Sequence, residues 1–235
     1  MAERSRIFQC IDLDRTLFDT SQFVKALTDE VDAIDPGVGT ALDERYERDY
    51  KSETTFFLLR TLREERGDSW FEATVRRVVR RIGGSALLLD DSNERITQAD
   101  SLTSLRPSWG ILTYGDAIDQ QMKARIVGLG SAPFLLTGSP SKGALIASWQ
   151  QPDGTFQLPE AYGGQYADAV TLEDDKLRAF YGLPDTAFGF WITHDPDAEA
   201  KLEAAQREHK VGRITIIRSL TETADYISKI TTLSD

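Results

Sequence analysis

The sequence predicts an α/β fold: a doubly wound parallel sheet with an all-helical segment inserted after its first strand. Three observations carry this. Short apolar runs of buried-strand length recur at residues 7–11, 109–113, 132–136, 167–172, 187–193 and 213–217. From Trp109 onward these runs alternate with helical patterns, as parallel sheets require. Residues 20–105 instead show helical periodicity throughout. One strand precedes that block and the others follow it, so it reads as an insertion. The expected domains are therefore a core of residues 1–19 plus 106–235 and a helical cap of residues 20–105.

The first run, Ile7–Ile11, stops at a carboxylate, in the stretch Asp12-Leu13-Asp14-Arg15-Thr16. Alternation lets Asp12 and Asp14 point the same way. Ligands of open parallel sheets bind just beyond the carboxyl ends of the strands. Two like charges so placed must share a proton, bind a cation or shift a pKa. One can serve as nucleophile and the other as general acid/base.

In the inserted block, Phe23, Leu27, Val31 and Ile34 share one helical face, with Thr20 or Ser21 to cap it and Asp35-Pro36-Gly37 to end it. Leu42, Tyr46 and Tyr50 mark a second helix. Phe56, Leu59 and Leu62 mark a third, and Phe71, Val75, Val78 and Ile82 a fourth that stops at Gly83-Gly84. A fifth follows Asp91-Ser92 and runs to about Leu105, before Pro107. Arg76, Arg77, Arg80 and Arg81 lie opposite the apolar stripe of the fourth helix and read as a solvated face rather than a phosphate site. Phe56 and Phe57 read as helix core.

The second strand ends at Thr113, followed by Tyr114-Gly115-Asp116 and a helix with Ile118, Met122, Ile126 and Leu129 in phase. The third strand ends at Thr137-Gly138, and Lys142 follows the loop Ser139-Pro140-Ser141. Residues 144–149 fit either a helix or one arm of a hairpin turning at Asp153-Gly154. The fourth strand ends at Glu173-Asp174-Asp175 and leads into a helix over 176–182. A fifth strand, a polar helix over 197–210, a sixth strand and a closing helix over 221–230 complete the chain.

Composition narrows the function. A charge of −11 makes the chain a poor partner for nucleic acid. No apolar segment reaches membrane-spanning length. The residues before Ile7 leave no room for a signal peptide, and the single Cys10 forms no internal disulfide, so a cytoplasmic location is expected. With only His194 and His209, a His-rich zinc site is not expected; the acidic residues suit a hard, oxygen-ligated ion such as magnesium. Two acids, a hydroxyl, a lysine and further acids at converging strand ends suit phosphoryl transfer.

Four stretches, in order, resemble the motifs of the haloacid dehalogenase superfamily in its phosphatase form: Asp12-Leu13-Asp14-Arg15-Thr16; the apolar run to Thr113 with Gly115 after it; Lys142; and Glu173-Asp174. Lys142 is followed by Gly143 rather than the frequent Pro, and the competing Lys123 lies mid-helix. The resemblance implies a Rossmann-like core with a helical cap. It implies Asp12 as nucleophile and magnesium ligand, and Asp14 as acid/base whose main-chain carbonyl also meets the metal. Thr113, Tyr114, Gly115 and Lys142 would hold the phosphate. Asp174 would ligate magnesium, with Glu173 or Asp175 direct or through water. Asp14 argues against dehalogenation, because that branch lacks the second acid.

The expected protein is a magnesium-dependent phosphatase acting on a small phosphorylated metabolite, as a monomer or homodimer, with no nucleic-acid or membrane partner. The alternatives are a sugar-phosphate phosphomutase of the same family, a catalytically silent member that binds or regulates, and a response-regulator-like domain, which the large insertion and the motif order disfavour. The cap is expected to act as a lid hinged near residues 15–21 and 105–108 and to select the substrate.

Overall fold

The computed structural model describes residues 6–52 and 57–232; the sequence-stretch 1–5 and Phe56, read above as helix core, lie outside the described residues. Six parallel strands form one sheet: β1 (Ile7–Ile11), β2 (Trp109–Tyr114), β3 (Phe134–Thr137), β6 (Ala169–Asp174), β7 (Phe188–Ile192) and β8 (Arg213–Ile217). Their order is β3-β2-β1-β6-β7-β8. The chain winds outward from β1 to β3, then crosses back to β6 and winds the other way. The topological switch point therefore lies between β1 and β6, where such sheets keep their ligand crevice. Register pairs Ile11, the last residue of β1, with both Ile111 of β2 and Glu173 of β6, so β6 runs on to Asp174 and β2 to Tyr114 beyond the end of β1.

Strand β1 is buried along its whole length, which is why it reads as a continuous apolar run rather than an alternating one. Helices α5 (Ser92–Leu102), α7 (Lys142–Ala147), α8 (Ala198–Glu208) and α9 (Glu222–Thr232) belong with the sheet. A two-stranded antiparallel pair, β4 (Phe156–Gln157) and β5 (Tyr166–Ala167), completes that unit. Of the two alternatives for residues 144–149 the structure takes the helix, and the bridge across the following turn is made by Gln150 with Phe156. That turn falls at Asp153-Gly154, with Gly154 at φ +89°. Tyr162 folds under the sheet and donates to the Ile111 carbonyl at 2.7 Å. A side chain at Gly110 would stand 2.5 Å from the Tyr162 ring, so this glycine is required by close packing. Instead of the helix expected over 176–182, residues Leu177–Phe180 make a single 3-10 turn before Gly182 at φ +80°.

The other compact unit comprises residues 18–88 and 115–131. It contains α1 (Thr20–Asp32), α2 (Val38–Lys51), α3 (Leu58–Arg66), α4 (Asp68–Ile82) and α6 (Ala117–Ile126). The chain enters and leaves it side by side: Phe18 bridges Leu88, and the Asp19 amide donates to the Leu87 carbonyl at 2.8 Å. Asp19 then caps α1 through Gln22. Helix α5 groups with the sheet: its Arg95 donates to Gln9 of β1 and Glu173 of β6, and Asp91 just before it accepts from the Leu220 amide at 3.1 Å and from the Ser219 hydroxyl at 2.5 Å. Two arginines of α4 tie it to α1, and a third pairs within α4. Arg77 and Arg81 both pair with Glu30 of α1, at 3.2 and 2.9 Å, and Arg76 pairs with Glu72. Arg63 of α3 reaches Asp116 at 3.2 Å and Asp119 at 3.0 Å, fixing the start of α6, which Asp116 also caps. Among the described residues no helix is long and apolar enough to cross a membrane.

Helices α1 and α2 approach closely at Gly39, where a Cβ would stand 1.9 Å from the Thr28 carbonyl oxygen. Gly39→Ala would gain up to about 1 kcal/mol of helix propensity. The clash is with backbone, however, and parting two packed helices costs about 1–3 kcal/mol or more. The clash should win, so the expected result is a urea midpoint lowered by a net loss of about 1–2 kcal/mol. An unchanged or raised midpoint would show that the helices separate freely.

Candidate active site

Asp12 is the first residue beyond β1, and its amide donates to the Glu173 carbonyl at 2.9 Å. That bond ties the end of β1 to the end of β6. Lys142 opens α7, after the loop that leaves β3. Its ammonium donates to Asp12 Oδ1 and, at 2.6 Å, to Asp174 Oδ2. Asp174 is held from its other oxygen by the Lys176 amide at 2.8 Å. Asp12, Lys142 and Asp174 are 5, 3 and 2% exposed, so these charges meet almost out of water. Gly143 admits no side chain: a Cβ there would lie 2.6 Å from the Leu183 amide nitrogen and 2.7 Å from the Phe180 carbonyl oxygen. This packing explains a glycine directly after the lysine.

Burial pushes the Asp12 carboxyl well above the ordinary range, and the charges of Asp174, Asp175 and Asp14 push the same way; Lys142 opposes them. For Lys142 burial disfavours the ammonium, but Asp12 and Asp174 overcome it and hold its pKa above that of a free lysine. One ammonium thus serves two carboxylates. Carboxylate oxygens of Asp12, Asp174 and Asp175 all lie within 4.8 Å of one another. Three converging oxygen donors with unbalanced negative charge fit a hard divalent cation. Asp175 is positioned by Trp191 of β7, whose indole N–H donates to the Asp175 carbonyl at 3.1 Å.

The structure brings together Asp12, Lys142 and Asp174 of the residues anticipated from sequence. Asp14 is half-buried and close enough to add to the negative field at Asp12. Thr113, buried, and Tyr114 end β2, the strand beside β1, with Gly115 directly after them. Glu173 does not join the carboxylate group. Strand β6 runs through Asp174, two residues further than the apolar run, so Glu173 and Asp174 face opposite sides. Glu173 is fully buried against Arg95 instead, and Asp175 stands as the third carboxylate. Arg95 itself carried no sequence signal: it is one charged residue in a weakly amphipathic helix, and only its complete burial marks it.

A parallel sheet of this order, with an acidic cluster at its switch point and helices inserted after the first strand, is the arrangement of a haloacid dehalogenase-like fold. No family model matches the sequence, and no curated protein matches it. Solved structures do match. A haloacid dehalogenase-like hydrolase from Burkholderia xenovorans is 16% identical, over 94% of this chain and 96% of that one, with a TM-score of 0.54. The L-2-haloacid dehalogenase from Xanthobacter autotrophicus is 13% identical, over 95% and 98% of the two chains, at 0.52. A HAD-hydrolase from Bacillus subtilis bound to magnesium is 16% identical, over 96% and 99%, at 0.51. At these identities the likeness is one of fold, and the chain has the fold of the haloacid dehalogenase-like hydrolases.

Proposed function

We propose that this protein is a magnesium-dependent phosphatase that hydrolyses a small phosphorylated metabolite through an aspartyl-phosphate. The observation that carries the reading is the buried bridge from Lys142 to Asp12 and Asp174 at the switch point, with Asp175 in reach. The magnesium-bound Bacillus subtilis neighbour supports the choice of metal. Asp12, Asp174 and Asp175 would hold magnesium, which when bound offsets the charge of the phosphoryl group and the carboxylates. An Asp12 carboxylate oxygen attacks phosphorus and the ester P–O bond breaks. Asp14 gives its proton to the departing oxygen. Asp14 then takes a proton from water, which attacks the same phosphorus, releasing phosphate and restoring Asp12. Lys142 and Thr113, with the main-chain amides of Tyr114 and Gly115, hold the phosphoryl oxygens. Asp14 weighs against dehalogenation, which has no leaving oxygen to protonate. Substrate choice is assigned to the helical insertion.

The test is hydrolysis of a small aryl phosphate. Activity is expected with magnesium chloride, is expected to vanish in excess EDTA, and should return when magnesium is restored. Hydrolysis that survives EDTA undiminished would rule out the metal; absence of hydrolysis against a panel of phosphorylated metabolites as well would leave a silent binding protein.

A further inference from the structure

We propose that the buried Arg95–Glu173 pair is the positioning device of the carboxylate cluster, setting the spacing of Asp12, Asp174 and Asp175 for magnesium without itself binding the ion. The inference rests on the phosphatase reading above. Glu173 is fixed at both ends. Its main-chain carbonyl accepts the Asp12 amide, and its carboxylate receives a two-pronged contact from Arg95, Nε to Oε2 at 2.9 Å and Nη2 to Oε1. The guanidinium is anchored in turn by Gln9 of β1, whose Oε1 accepts from Nη2 at 2.7 Å. Gln9 donates from Nε2 to the carbonyls of Ala99 at 3.1 Å and Ser108 at 3.4 Å. The network therefore joins β1, β6 and α5 directly behind the two strands that carry Asp12 and Asp174.

Stability does not account for such a pair. Desolvating two charges costs nearly as much as their attraction returns, and apolar replacements of similar volume are often neutral or stabilising. Here Arg95 Nη1 is buried with no partner among the described residues, which makes the network costlier still. What a bidentate guanidinium does supply is fixed geometry. The residue it fixes is bonded to Asp12 through the main chain and is covalently next to Asp174. Partners that hold ligands in place typically matter about 10–100-fold in metal affinity.

The test is titration calorimetry of the full chain with magnesium chloride alone, paired with urea unfolding. Arg95→Met combined with Glu173→Leu should unfold cooperatively with a midpoint near that of the unaltered protein, yet bind magnesium about 10-fold more weakly. Hydrolysis of the aryl phosphate should need correspondingly more magnesium, with kcat at saturating metal much less affected. Gln9→Leu keeps both charges and loosens only the anchor; it should weaken magnesium binding about 3-fold, and it keeps the question open to test if the double variant does not fold. Wild-type magnesium affinity in either folded variant would overturn the proposal. So would loss of all binding in the double variant with none in Gln9→Leu, because that pattern makes Glu173 a ligand. An unaltered protein that neither binds magnesium nor hydrolyses phosphate would instead remove the reading on which the proposal rests.

Discussion

Asp12→Asn is expected to lower turnover of a small aryl phosphate by about 10⁴-fold or more, leaving a folded protein. An amide cannot form the acyl-phosphate, so the loss is of the bond-making group itself rather than of one contact, and single nucleophile deletions cost on this scale. The fold should survive because Asn keeps the size of Asp and the main-chain bond from residue 12 to the Glu173 carbonyl. Removing one of the two buried carboxylates that share this ammonium also relieves crowding of like charge, since Asp174, Asp175 and Asp14 all press on Asp12. Urea unfolding at neutral pH should therefore show an Asp12→Asn protein at least as stable as its parent. Steady-state kinetics on a monodisperse preparation is the deciding measurement. Turnover within 10-fold of the parent would exclude Asp12 as nucleophile.

Lys142→Met should reduce both activity and stability, and magnesium should restore only the second. The ammonium is the shared partner of Asp12 and Asp174, with side chains 4, 7 and 2% exposed for Lys142, Asp12 and Asp174. Removing one member of a buried ion cluster strands the others, at a cost of about 3–5 kcal/mol. In EDTA the thermal midpoint should fall by more than about 5 °C for a chain of this size. Added magnesium should recover much of that, because the carboxylates then regain a cation. Turnover should stay depressed by about 10²–10³-fold, since the transferring phosphoryl group still lacks a fixed positive partner. A variant as stable and as active as the parent would mean that the Lys142 bridge has no part in the chemistry.

Much of this was written in local sequence. Buried strands of a parallel sheet are continuous apolar runs, and each ends where a charge or hydroxyl appears, so Ile7–Ile11 followed by Asp12 located both an element and a candidate site residue. Lys142 was legible as the first lysine after a strand-loop boundary, and it does reach Asp12. Local pattern was less reliable at the end of β6. The apolar run stops at Leu172, but parallel pairing with β7 carries the strand through Asp174, opposite Trp191. A strand two residues longer fixes which carboxylate faces which side. That pairing, and nothing within Glu173-Asp174-Asp175 itself, turned Glu173 toward Arg95 and left Asp175 beside Asp12 and Asp174.

The helical segment divides in the same way. Periodicity gave the helices of residues 20–105 as local objects, because a repeating apolar face needs no distant partner to be recognised. It could not assign α5, whose place with the sheet depends on Arg95, Gln9 and the Asp91–Ser219 bond, partners 86 and 128 residues apart in the chain. Sequence alone determined the fold class, the strand-end carboxylates and the lysine, since each follows from short-range pattern and chain order. Only the tertiary structure decided which acids share the cluster and which is clamped behind it, since that depends on strand length, register and burial, and those are set by pairing between segments far apart in the chain.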